Sequence, residues 1–86
     1  MKLYAMNKLL CEPYKLKNES SNSFIVTAES SGCIAKIISV YEGCEDYREG
    51  MIVFCDKEYA LEYIIAGKKY LAIDELDVLA IIKEDE

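Results

Sequence analysis

Residues 51–83 read MIVFCDKEYALEYIIAGKKYLAIDELDVLAIIK, and the alternation within this stretch decides the fold. It holds four short apolar runs, MIVFCD (51–56), YALEYII (59–65), KYLAI (69–73) and VLAIIK (78–83). Each has the length of a strand and is rich in Ile, Val and Tyr. The clearest breaks are AGK (66–68) and DELD (74–77), the latter reading as one helical turn capped by Asp74. Upstream, CIAKIISVY (33–41) is a fifth run, set off by EGCEDYREG (42–50), and MNKLLC (6–11) supplies a sixth before Pro13. This is the punctuation of a small all-β barrel or sandwich; 59–65 alone is short enough to fit a helical turn as well, with strand preferred.

The chain has 86 residues, 52% of them apolar and 30% charged, which excludes a wholly disordered polymer and predicts one domain spanning 1–86. A domain of this size buries only about 60–65% of the surface its unfolded chain exposes, so partners are expected to add stability. The longest apolar runs are far shorter than the roughly 20 residues of a membrane span, so no transmembrane helix is expected. The net charge of −6 and the lack of a basic stripe argue against nucleic acid, whose binding rests on Lys and Arg displacing counterions. The opening MKLYAMNKLL loses its apolar character at Asn7 and Lys8, unlike a secretory signal, and the expected compartment is the cytosol.

The four cysteines, at positions 11, 33, 44 and 55, show no C-x₂-C spacing, so no metal site is expected. Cys11 and Cys55 sit within apolar runs and read as small buried hydrophobes, whereas Cys33 and Cys44 flank loops and read as the more reactive pair. The chain has no His, which removes the common nucleophile–base pairings, and acidic pairs such as Asp74/Glu75 read as solvated charge. No enzyme activity and no cofactor are expected.

Two features point to protein partners. In 51–56 and 78–82 both alternating sets of side chains are apolar, so both faces of these strands call for burial, and the second face is expected to meet another subunit. Residues 15–32 (KLKNESSNSFIVTAESSG) form a long polar connection with five Ser and two Asn, yet Phe24, Ile25 and Val26 stand in a row at its middle. Loops beyond about 12–15 residues are usually functional or disordered. The triplet is either a short barrel strand or a binding element.

The segments SNSFIVT (21–27), AKIISVYEG (35–43), EGMIVF (49–54) and GKKYLAIDELDVLAII (67–82) together resemble, in order and over nearly the whole chain, the GroES-type co-chaperonins. The most specific part is the last, a Gly-Lys-Lys-Tyr-Leu strand, an acidic turn and an Asp-Val-Leu-Ala-Ile strand at the family's spacing. The resemblance implies a small irregular β-barrel of the GroES-like type with a long mobile loop, assembled as a homo-oligomeric ring, a heptamer. It implies docking of Phe24, Ile25 and Val26 on the apical domain of a GroEL-type chaperonin. The expected function is a lid that caps that chaperonin in a nucleotide-dependent manner, assists the folding of non-native clients and binds no nucleotide itself.

The resemblance also implies that the N-terminal strand of one subunit meets the C-terminal strand of the next, through Met6, Leu9, Leu10, Leu79, Ile81 and Ile82. This chain departs from the family pattern at several points. Asn22 and Ser23 stand where many members have a glycine pair, Tyr41 replaces a glycine, and 3–7 lacks the usual Arg-Pro-Leu lead. The roof segment is shortened to about 43–50, which predicts a wider opening lined by Glu45, Asp46 and Glu49. The alternative expectation is a stand-alone oligomeric β-barrel adaptor that binds other proteins and keeps the fold without a chaperonin partner. On either reading the expected compartment of the chain is the cytoplasm, a host's if the chain is virus-encoded.

Overall fold

A computed structural model describes residues 2–16 and 32–83. Six strands account for most of them: β1 (Leu9–Pro13), β2 (Gly32–Ser39), β3 (Ile52–Asp56), β4 (Ala60–Ile65), β5 (Lys68–Ile73) and β6 (Val78–Ile82). All pair antiparallel in one sheet, in the order β4-β5-β1-β2-β3-β6. The fold is thus all-β and barrel-like. One face of a single sheet can be enclosed only if the sheet curls on itself, and the buried set shows that it does. Leu9 and Cys11 of β1, Ala35 and Ile37 of β2, Val53 and Cys55 of β3, and Leu71 and Ile73 of β5 share one core with Ala60 at the start of β4. Val78, the first residue of β6, packs on the same core from the other end of the sheet.

The strand periodicity of 2 accounts for this core, since β1, β2, β3 and β5 each contribute alternate residues to it, while β4 and β6 contribute only their first residues. The opposite face carries Leu61, Ala72 and Leu10 in one cross-strand row and Ile34, Phe54 and Ala80 in another. Both faces of β3 are apolar as expected, Val53 and Cys55 fully enclosed and Ile52 and Phe54 half-buried.

Three local departures from the expected elements have clear causes. β1 runs through Pro13 instead of starting at Met6, and residues 6–8 form a bend. Proline is tolerated because the pairing of β1 with β5 ends at Cys11, so no donor is required of Pro13 on that side. The strand expected from 59 begins at Ala60, because Asp56 accepts the Glu58 N–H at 3.0 Å and turns Lys57–Tyr59 into a 3₁₀ turn. Asp74 does the same for Glu75–Asp77, accepting the Leu76 N–H at 3.0 Å, as the DELD turn leads one to expect. Thirdly, β6 carries a bulge. Phe54 faces Ala80 but Cys55 faces Val78, leaving Leu79 as the extra residue. Without it Val78 would share the outer face with Ala80; with it Val78 turns to the core.

The β4–β5 hairpin closes on Ala66 and Gly67, with φ of 55° and 82°. Two consecutive positive φ values are the requirement of a type I′ turn, whose twist matches that of the flanking strands.

Candidate partner-binding edges

The sheet order leaves β4 and β6 at opposite ends, and among the described residues neither is paired along its outer side. Both edges are apolar, and both are bordered by tethered segments.

At the β4 end the N-terminal segment 2–8 crosses the outer face. It is pinned where the Ala5 N–H donates to the Ser39 hydroxyl at 3.0 Å, and Ser39 and Tyr70 are buried beside it. A groove of about 220 Å³ lies between this segment and β4, lined by Tyr4, Met6, Leu10, Leu61, Tyr63 and Ala72 among others. Met6 is 85% exposed at its rim. At the β6 end Leu79 is 65% and Ile81 42% exposed, and Ile82 is half-buried beside a second groove shared with Tyr14, Lys36, Met51 and Ile52.

The turn preceding β6 is held from two sides. Lys8 reaches Asp74 at 3.4 Å, and the Tyr41 hydroxyl donates to Glu75 Oε1. The Leu76 N–H and the Lys8 ammonium both favour the ionised form of Asp74, and its pKa is lowered from 3.8, the backbone bond being the larger cause. The bond to Glu75 holds the Tyr41 proton in place and raises its pKa above the ordinary 10, with desolvation adding to the effect. Clamped in this way, the turn presents Leu76 with 86% of its surface exposed, just ahead of the exposed Leu79 and Ile81 in sequence. Sequence reasoning missed Leu76 because it stands inside DELD; the legible signal was one large apolar residue in a turn otherwise made of acids.

Of the residues expected at a subunit contact, Met6, Leu79 and Ile81 are exposed, and Leu10 and Ile82 are half-buried. Leu9 differs. It is fully enclosed in the core opposite Ile73, because it shares the inward parity of Cys11, and it offers no surface to a neighbour. Met6 and Leu79 are not brought together within the chain; they lie at opposite ends of the sheet.

The connection 43–50 is short and folded back on the barrel. Gly43 and Gly50 take φ of 95° and 94°, Cys44 N–H donates to Tyr41 O at 3.1 Å, and Gly50 N–H to Ile37 O at 2.8 Å. Cys44 and Tyr47 pack on the core, so Glu45, Asp46 and Glu49 project into solvent. Phe24, Ile25 and Val26, with most of 15–32, lie outside the described residues.

Cys11 and Cys55 are buried, as their apolar runs predicted, and burial pushes their thiols up to about 12 and about 11. Cys33 and Cys44 are half-buried. Among the described residues no helix is long and apolar enough to cross a membrane. No family model matches the chain, and a search of curated proteins finds no match either.

Proposed function

We propose that the chain is a co-chaperonin that assembles into a ring, a heptamer by family resemblance, and caps a GroEL-type chaperonin through Phe24, Ile25 and Val26. The observation that carries the reading is the pair of dissimilar apolar edges at opposite ends of the sheet. Met6, Leu61 and Tyr63 border one, and Leu76, Leu79 and Ile81 the other. A contact between unlike surfaces is head-to-tail, and when its rotation closes it makes a ring.

The ring would in turn make the loops effective. Burying Phe, Ile and Val contributes roughly 1.5–3 kcal/mol each, while ordering a disordered segment on binding costs about 2–5 kcal/mol or more. One loop therefore binds weakly. Several loops on one rigid ring bind jointly through their effective concentration, and let go together when nucleotide alters every groove of the partner. The exposed Glu45, Asp46 and Glu49 would line the rim of an opening that the short connection leaves at the apex.

Native mass spectrometry of the chain, alone and then with a GroEL-type chaperonin and ATP, tests this. A ring that joins the chaperonin only with nucleotide, and fails to after Phe24→Ser/Ile25→Ser, is the expected result. A monomer or dimer that ignores the chaperonin overturns it in favour of the adaptor.

A further inference from the structure

Cys33 and Cys55 stand directly opposite each other in the β2–β3 register. Both occupy the inward set of their strands, Cys33 in step with Ala35 and Ile37, Cys55 in step with Val53. Tyr14 N–H donates to Ile34 O and Ile37 N–H to Met51 O, so Cys33, in step with Ile37, turns its own N–H and C=O to β3 in a hydrogen-bonded pair, whose Cα atoms stand about 5.5 Å apart. Disulfides span Cα separations of about 4.4–6.8 Å. Their Cβ atoms, about 5.5 Å apart in such a pair, must close by about 1–2 Å to reach the roughly 3.5–4.5 Å of a disulfide. The two thiols lie close enough for each to perturb the titration of the other.

The pair is also asymmetric in access. Cys55 is fully enclosed, whereas Cys33 is half-exposed at the second residue of β2, where the chain re-enters the sheet after residues 17–31. Cys11 is buried on β1 opposite Leu71 and Ile37, and so stands across from neither. Cys44 directs its thiol to Tyr47 O at 3.7 Å, away from the pair.

We propose that Cys33 and Cys55 are a modification site, a dithiol that closes to a cross-strand disulfide by exchange with a low-molecular-weight disulfide such as glutathione disulfide. The half-exposed Cys33 thiolate attacks one sulfur of the small disulfide, forming a mixed disulfide and expelling one glutathione thiolate, which takes up a proton. The Cys55 thiol then gives up its proton and attacks the Cys33 sulfur, expelling the second glutathione. Two protein thiols are oxidised and one small disulfide is reduced to two thiols. The bond fastens the root of 17–31 to the far end of β3, so in the oxidised protein the segment leaves the sheet from a covalently fixed point. Raised thiol pKa values make the exchange slow at neutral pH and faster as pH rises.

The test equilibrates the full-length folded chain in graded mixtures of glutathione and its disulfide, quenches with acid, alkylates free thiols and reads intact mass and peptide maps. The expected product has lost the mass of two hydrogens, retains two alkylatable cysteines, Cys11 and Cys44, and yields a linked 33–55 peptide. It also melts at a higher temperature than the reduced chain. Cys33→Ser, at a half-exposed position, is expected to fold and to form no internal bond, and Cys11→Ala to form it as the parent does. A linkage through Cys11 or Cys44, a glutathione adduct that stays on Cys33, or no oxidation while the fold is intact would each overturn the proposal.

Discussion

The Tyr41 hydroxyl donates to the Glu75 carboxylate, joining the exit of β2 to the turn that launches β6, strands that have β3 between them. The bond fixes the start of an edge strand that, among the described residues, pairs with a neighbour on one side only.

Tyr41→Phe keeps the ring and removes the bond, and is expected to lower the urea midpoint with the m-value unchanged. The hydroxyl's raised pKa gives the sign of the pH dependence. The folded state holds this proton more tightly than the unfolded chain, so the contribution is complete below about pH 10 and is lost as pH rises beyond it. The variant should lack that component of alkaline destabilisation.

Cys11 and Cys55 add an earlier alkaline limit. Their folded values, about 12 and about 11, exceed the 9.0 of an ordinary thiol, so stability is expected to fall from about pH 9 upward. Urea midpoints between pH 7 and 10.5 under reducing conditions check this, and Cys11→Ala should flatten the slope at the expense of a lower midpoint at neutral pH.

Asp74 behaves in the opposite sense. Its folded pKa lies below 3.8, so its contribution is present above about pH 4 and is lost as pH falls through the folded value. Asp74→Asn retains an acceptor for the Leu76 N–H and loses the charge opposite Lys8, whereas Asp74→Ala loses both. The expected order of midpoints at pH 7 is parent, Asn, Ala; in acid the parent converges on Asn while Ala stays lowest.

Ala66 occupies a left-handed conformation at φ 55° that only Gly, Asn and Asp adopt readily. Ala66→Asn supplies the favoured first residue of a type I′ turn ahead of Gly67 and is expected to stabilise by about 0.5–1 kcal/mol, read by thermal or urea unfolding. Gly67→Val should destabilise by more, since a β-branched residue is strained at φ 82°.

Leu9 and Leu79 separate the core from the edge. Leu9→Ala is expected to cost about 2–5 kcal/mol of folding stability, a large share of what a domain of this size has. Leu79→Lys should leave the urea midpoint of the dissociated chain nearly unchanged and abolish ring assembly in native mass spectrometry.

All six strands were legible because each pairs a run of Ile, Val, Leu or Tyr with a turn residue at its end. The DELD cap was legible because Asp followed by a short acidic turn has one common use. The bulge at Leu79 was not, because in VLAII every residue is apolar and the two-residue period leaves no mark. The misplacement of Leu9 has the same origin: LLC reads alike in either register, and only pairing with Ile73 assigns Leu9 inward and Leu10 outward. The clamp of the N-terminal segment on Ser39 depends on a hydroxyl 34 residues away and has no local signal.

The extra residue in β6 bears on which chains this protein can tolerate as neighbours. An exposed strand with an even row of donors and acceptors is a template for any extended peptide, its own unfolded copies included. By interrupting that row beside Phe54 and Cys55, Leu79 spoils the template for generic additions and leaves it usable by a segment shaped to the irregularity. Deleting Leu79 is therefore expected to produce a smoother, stickier strand, with turbidity of a concentrated solution as its first symptom.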